Sequence, residues 1–531
     1  MGQCVHFVHR QQETSVLRFC FTMIDVRIHS SRHIETKLVL PLATKRNYKY
    51  DLHYYIFSPA QLNIRNEETN KIDMLNKFVT HGRYASPQFT IEELVDLQNI
   101  NSPLTILWNM STQFFKNCTE IRVIHEIQGL CNTIRHQSRQ TVARCNLAIK
   151  QGACGQVLKV LAEGWSEQSN LVIERYRSIQ KVAQDIFSPE SLIVQAFAWG
   201  DEALSIFAEK DSLDLYLRLE PYYHEISDSM AGLLDISRSE ASYRVQQGFL
   251  SANVSSTNNK TEQFTYRNAV LKKWTQSVLY LDPVQTKSPK YIAGILSGIA
   301  AGIAMTFATL ASIFAETRFT KNGFGWAMIV IIAYIFKDRI KNGLWSIINI
   351  FLPRVLADKI SIFKSPRSGR VLCRNRTRLF FTDAKKVPKD IAEARKDDTN
   401  PFRDLMPTED VVHYARFMNI KRFKAKDEKQ TPWVKNLTLI TRIRIDDYLK
   451  DMDDTHTFFQ ALESSDEPVI GDKSNRTYHL HLVIKEECLT NPDLCNLHHF
   501  LVVLNKDGIV RLKKLSDCDN DENDEASIQG M

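Results

Sequence analysis

Residues 291–315 read YIAGILSGIAAGIAMTFATLASIFA, twenty-five positions without a charged side chain. As a helix this run is about 37 Å long, enough for the ~30 Å hydrocarbon layer of a bilayer. A core helix of a water-soluble domain shows a polar stripe over such a length, and this run has none, so it is expected to span a membrane. A second run at 322–336, NGFGWAMIVIIAYIF, covers about 22 Å unaided. It reaches across if Lys337 snorkels outward and the bilayer thins locally. Only ETRFTK, Glu316 to Lys321, separates the two runs, so the second must fold back along the first. The expectation is a two-helix transmembrane hairpin over 291–336.

Charge on either side orients it. Lys272, Lys273, Lys287 and Lys290 precede the first run; Lys337, Arg339, Lys341, Arg354, Lys359 and Lys364 follow the second; the loop holds Arg318 and Lys321 beside Glu316. The positive-inside bias then puts both termini in the cytoplasm, with the hairpin in a plasma or inner membrane. The opening stretch MGQCVHFVHRQQETS has no basic segment followed by an apolar one, and Gly2 lacks the Ser or Thr at position 6 that a myristoylation signal wants. Ten cysteines without a CxxC pair fit reduced thiols.

Two features of the hairpin suggest contacts. Gly294, Gly298 and Gly302 stand four apart, the small-xxx-small spacing that lets helix backbones approach, either within the hairpin or between copies in a homo-oligomer. Beyond the second run, Gly343 to Leu352 has the spacing of an interfacial helix ended or bent by Pro353. Arg354, Lys359, Lys364, Arg367, Arg370, Arg374, Arg376 and Arg378 then form a basic cluster opposed over that range only by Asp358. Beside a membrane, such a cluster is expected to meet anionic lipid headgroups.

The remaining chain, of 531 residues with 44% hydrophobic and 24% charged content and a mean hydropathy of −0.27, is enough for folded water-exposed cores. A net charge of +7 over this length does not single out nucleic acid, and none is expected as a partner. The expected fold class is α+β: an N-terminal β-sheet plus a helical bundle, the hairpin, and a small C-terminal antiparallel β domain. Residues 1–85 read as strands, as in the alternation of Val16, Arg18, Cys20 and Thr22 against Leu17, Phe19, Phe21 and Met23. Residues 86–250 read as amphipathic helices, opened by a capping box at Thr90 and Glu93. The expected order continues with a linker and pre-membrane segment at 251–290, the hairpin at 291–336 and an interfacial and basic region at 337–385. A charged linker with short helices at 386–430, the β domain at 431–516 and an acidic tail at 517–531 complete it. Asn505 to Gly508 reads as a hairpin turn, and the tail's DCDNDENDE has the charge to pair with the basic cluster.

Signatures of catalysis are absent. No GxxxxGK[ST], GxGxxG, HExxH or GxSxG occurs, no cofactor is implied, and no catalytic residue is nominated. His479 and His481, which share one face of a strand, together with Cys488 and Cys495 are zinc-ligand types, but their spacing matches no standard finger and no metal is expected. The sequence therefore points to a two-pass membrane protein acting as an interaction scaffold or sensor, with the lipid bilayer and a protein of undefined identity as partners. An oligomerising, membrane-perturbing effector and a membrane-tethered enzyme without a familiar motif are the alternatives.

Overall fold

The computed structural model describes residues 23–515, apart from 43–45, 66–70, 117, 154, 251–257, 288–289, 320–322, 356, 396–408, 424–431, 463–467 and 491–494. The alternation at 15–22 and the acidic tail lie outside the described residues. Four strands, β1 (Met23–Ser30), β2 (His33–Pro41), β3 (Tyr48–Ser58) and β4 (Phe78–Tyr84), arise before the helices. After them come β5 (Asp282–Lys287), β6 (Lys359–Lys364), β7 (Val371–Asp383), β8 (Asp410–Ile420) and β9 (Asn436–Arg444). The pair β10 (His456–Leu462) and β11 (Pro468–Asn475) and the run β12 (Tyr478–Cys488), β13 (Cys495–Asn505) and β14 (Gly508–Lys514) follow.

These strands do not sort by chain position. One antiparallel sheet has the order β1-β2-β9-β4, and the larger one runs β14-β13-β12-β3-β8-β7-β6-β5. The amino-terminal strand β3 sits in the middle of the larger sheet, paired from Tyr48 to Ser58 with β8 and from Tyr50 to Phe57 with β12. The two strand-rich ends read from sequence as residues 1–85 and 431–516 thus share both large sheets. Alternation explains the fit: Tyr50, Leu52, Tyr54 and Ile56 bury one side of β3, while Asp51, His53 and Tyr55 turn to the other.

The two sheets meet face to face. Phe78 stacks on Tyr414 at 4.2 Å, Thr36 Oγ1 and Tyr54 Oη lie 2.9 Å apart, and the fully buried Arg416 donates from Nη1 to Thr441 Oγ1 at 2.6 Å. Gly82 is required here, since a Cβ would lie 2.5 Å from the Phe363 ring. At the β13–β14 turn, Asn505 Oδ1 accepts from the amides of Asp507 and Gly508, and Gly508 takes a positive φ with its backbone against Ser31.

Short helices α1 (Lys71–Asn76), α2 (Ile91–Val95) and α3 (Pro103–Thr112) lead into a bundle. The capping box forms as read, Glu93 N donating to Thr90 Oγ1 and Thr90 N to the Glu93 carboxylate. The bundle comprises α4 (Glu120–Lys150), α5 (Gly155–Ile186), α6 (Leu192–Leu219), α7 (Tyr223–Gln246) and α8 (Asn258–Ser277). Three of its buried acids are paired. Asp201 and Glu240 share Arg177 at 3.0 and 2.7 Å, Tyr243 donates to Asp201 at 2.6 Å, and Arg267 holds Glu202 at 2.6 Å. Unpaired, such charges would oppose folding by several kcal/mol each.

Three stretches differ from the sequence reading. The linker at 251–290 holds α8 and β5, with α8 tied to α4 by Asn132 Nδ2 donating to the Thr275 carbonyl at 2.6 Å. The basic region at 337–385 contains β6 and β7, and the charged linker at 386–430 contains β8, a central strand. In β7 exposed arginines alternate with a buried row, and in β8 the buried row itself holds a charged residue, Arg416, so composition reads as a linker what pairing makes a strand.

Bundle and sheets join at Glu126 of α4, which is buried and accepts from Trp433 Nε1 at 3.1 Å; Gly129 lets the Trp433 ring lie against the helix. Burial pushes the Glu126 carboxyl up to about 7, opposed by the nearby Arg367 guanidinium and the Trp433 hydrogen bond. The folded state then keeps a proton that the unfolded chain releases, so stability declines as pH rises from the ordinary carboxyl range to about 7. Glu126→Gln stays neutral throughout. Its melting temperature should exceed that of the parent at pH ~8, reflecting about 3 kcal/mol, and the two should converge toward pH ~4.5; superimposable melting at both ends would refute this account.

Candidate functional site: a helix pair set into the sheet, and the arginine face beside it

Strands β5 and β6 are neighbours at one edge of the large sheet, paired from Asp282 with Lys364 to Lys287 with Lys359. Where a hairpin turn would normally join them, the chain leaves as α9 (Lys290–Arg318) and returns as α10 (Phe324–Val355). The two helices pack on each other. Ile295, Ile299, Ile303, Phe307, Leu310, Ile313 and Phe314 on α9 and Phe324, Met328, Ile331, Ile332, Ile335 and Phe336 on α10 are exposed. A patch of this size is the kind that otherwise marks an interaction surface.

By length and composition, one helix among the described residues is able to cross a membrane: Gly294–Arg318, only 22% of whose apolar window is buried. This corrects the expected two-helix transmembrane hairpin. α10 is longer, but Lys337, Asp338, Arg339 and Lys341 follow Phe336 directly, so its apolar stretch ends after about 20 Å. Lys337 is partly covered, with its ammonium 3.5 Å from the Tyr334 ring centre and 3.7 Å from Asp338. Nor is there a separate interfacial helix at 343–352: α10 continues to Val355, and Pro353 falls in its last turn.

Of the two contacts expected for the glycine row, packing within the helix pair is not the one formed. Gly294, Gly298 and Gly302 face outward, with no atom within 4 Å of where a Cβ would stand. The seam instead uses Ala300, Ala304 and Ala315, which are buried, with Ser297, Ala308 and Ala311 half-buried between them, against Ala333 of α10. Spacings of three and four residues keep that row on one side of a helix, as in a coiled-coil seam. Both small-residue rows have the right period, and only the partner's direction selects between them.

The eight basic residues nominated for lipid divide by strand parity. Arg374, Arg376 and Arg378 alternate on β7 with buried Cys373, Asn375, Thr377 and Leu379, so the three face away from the sheet sandwich; the first two are exposed. Lys359 shares the opposite, core-side face with Ser361 and Phe363, and burial lowers its pKa. Arg367 turns toward the bundle, 5.7 Å from the Trp433 ring centre and close enough to Glu126 for their charges to interact. Lys364 ends β6, Arg370 lies in the turn before β7, and Arg354 lies in the last turn of α10.

Beside the arginines lies a ring cluster that the sequence reading missed. Arg378 lies over Phe417 at 5.4 Å, and Phe417 meets His53 edge-on at 5.7 Å. His53 Nδ1 and His413 Nε2 share a hydrogen bond at 3.1 Å, and His413 stacks on Tyr55 at 4.2 Å. Burial, then the facing His53, lowers His413 to about 4, so the pair is neutral at pH 7. Asp51, opposite Phe417, is pushed up to about 6 by burial and by Glu487. Alternation along β3 and β8 was the available signal, but only their register brings the rings together.

The zinc-type residues are dispersed. His481 Nδ1 lies 2.9 Å from His499 Nε2 on the outer face of β12 and β13, whereas Cys488 is buried on the other face beside Thr490, and Cys495 is exposed. Glu486, on that other face, accepts from Tyr50 and meets His498 at 2.8 Å. Among the described residues no three His, Cys, Asp or Glu are placed to hold a metal ion. A cavity of about 10 Å³ lined by Ile34, Ile56, Ile443, Tyr448, Leu480 and Leu482 has an apolar surface.

The chain matches no family model, no curated protein and no solved structure.

The alanine seam makes a direct prediction. Ala304→Leu should overpack the helix pair and lower its melting in detergent by the equivalent of about 1–3 kcal/mol, while Gly298→Ile, placed in open space, should leave it unchanged. Circular dichroism melts of the two variants check this.

Proposed function

We propose that this protein is a membrane-attached interaction scaffold or sensor, its folded body held on one side of a bilayer by the α9–α10 pair. The observation that carries the reading is the adjacency of β5 and β6. A chain that leaves and re-enters one sheet on neighbouring strands keeps both flanks on the same side, so the number of crossings between Lys287 and Lys359 is even. Pairing of β3 with β8 and β12 supports the same conclusion, because the amino- and carboxyl-terminal strands belong to one body. On this reading the helix pair enters the bilayer and leaves it from one face, with Lys337 at the headgroups. The excess of Lys and Arg on the flanks favours the cytoplasmic side of a plasma or inner membrane for both termini.

Scaffold or sensor is preferred to enzyme because, among the described residues, the polar clusters above are ion pairs or stacked rings. The test is labelling with a membrane-impermeant thiol reagent in intact cells, with single cysteines at Asn259, Thr320 or Lys473 in a chain otherwise free of cysteine. Asn259 and Lys473 should stay unlabelled together. Labelling of Thr320 alone identifies two crossings, and protection of all three identifies entry from one face. A difference between Asn259 and Lys473 would overturn the reading.

A second reading, the oligomerising effector, is favoured by the outward glycine row, which leaves a close-approach surface open for another copy. Gly298→Ile should then abolish oligomers seen by crosslinking in membranes and any conductance they cause. If both persist unchanged, the effector reading fails.

A further inference from the structure

We propose that Arg374, Arg376 and Arg378 form a docking surface for the anionic phospholipid headgroups of the bilayer that holds the helix pair; this rests on the membrane reading above. Position is the first argument. Thr377 pairs with Lys359, the first residue of β6, and the amide of Asp358 donates to the Thr377 carbonyl at 2.8 Å. Arg376 and Arg378 therefore flank the level at which α10, ending at Val355, joins the sheet, one strand in from β6.

The second argument is the composition of the face. At the positions paired with the arginines, β6 offers Ile360 and Ile362, and β8 offers Ala415, Phe417 and Asn419, none of them acidic. Asp51, one strand further on, is buried. Alternate strand residues lie about 7 Å apart, so the exposed Arg374 and Arg376 form a row able to meet separate phosphates bidentately, with the half-buried Arg378 adding its charge beside them. Phe417 under Arg378 and the stacked rings behind it make the row rigid. The segment around α11 (Lys389–Ala394) covers only the far part of this face, where Val387 and Ile391 pack on Tyr55, Val411 and Val483. Near a headgroup surface each arginine should contribute up to roughly fivefold to affinity, so losing all three costs at most on the order of a hundredfold.

The test uses the full chain in nanodiscs of equimolar phosphatidylcholine and phosphatidylglycerol, re-extracted in mild detergent, with the retained lipids quantified by mass spectrometry. The parent should retain phosphatidylglycerol in excess over phosphatidylcholine. Arg374→Gln/Arg376→Gln/Arg378→Gln should bring the ratio to that of the bulk, the three Lys replacements should preserve the excess, and Arg511→Gln/Lys513→Gln at the opposite sheet edge should not matter. If the triple Gln variant melts below the parent, Arg374→Gln/Arg376→Gln, both exposed, gives the readout instead. Equal retention by parent and Gln variants overturns the headgroup assignment, as does displacement of the lipid by millimolar inorganic phosphate, which would mark a site for a soluble phosphorylated ligand. A parent chain that stays soluble without detergent and carries neither lipid fails differently, because it removes the membrane reading itself.

Discussion

The pairing of Tyr48–Ser58 with strands from the far end of the chain is the constraint on which the rest of the molecule depends. β3 has Asp410–Ile420 on one side and Tyr478–Cys488 on the other, so the large sheet closes only when segments more than three hundred residues apart come together. Everything between them, the bundle and the helix pair alike, is an insertion between strands of one body. Closing such loops has an entropic cost that grows slowly with length, so an insertion of this size is tolerable once the sheet faces are buried. Contacts of such separation form late and slowly, which exposes the hydrophobic helix pair while the sheet is still open.

The same constraint gives the helix pair its orientation. Neighbouring strands β5 and β6 launch and receive it, so its two ends are held within a strand spacing at the sheet while the apolar flanks of α9 and α10 extend away. The seam of alanines lets the helices lie close without large side chains between them, and the glycines face outward. Close packing and an open small-residue surface thus coexist on one helix because their rows are offset around its axis.

Polar residues are treated differently in each layer. In the bundle, buried acids are matched by arginines from neighbouring helices, as with Asp201 and Glu240 on Arg177. Where bundle meets sheet, Glu126 has a tryptophan N–H and a more distant arginine, which leaves burial as the dominant influence and its carboxyl neutral well above the usual range. On the outer sheet face, His53 and His413 satisfy one another as neutral imidazoles, and Arg374 and Arg376 of β7 remain turned to the surroundings.

Several features were legible in the sequence because they depend only on neighbours along the chain. An uncharged run such as 291–315 declares a long apolar helix, Thr90 and Glu93 declare a helix start, and Asn505 to Gly508 declares a turn, each through contacts a few residues apart. The α+β class follows from the same local periods. Other features were decided only by the tertiary structure. The strand at Asp410–Ile420 hid in a charged stretch, and the basic cluster concealed β7, because alternation cannot say which strand will be a partner. The clustering of His53, His413 and Phe417, the separation of Arg367 from Arg374 and Arg376, and the preference for Ala304 over Gly298 at the seam all turn on the direction from which a distant element arrives. Hydropathy and capping are properties of a segment; register and facing are properties of a pair, and one segment alone does not contain its partner.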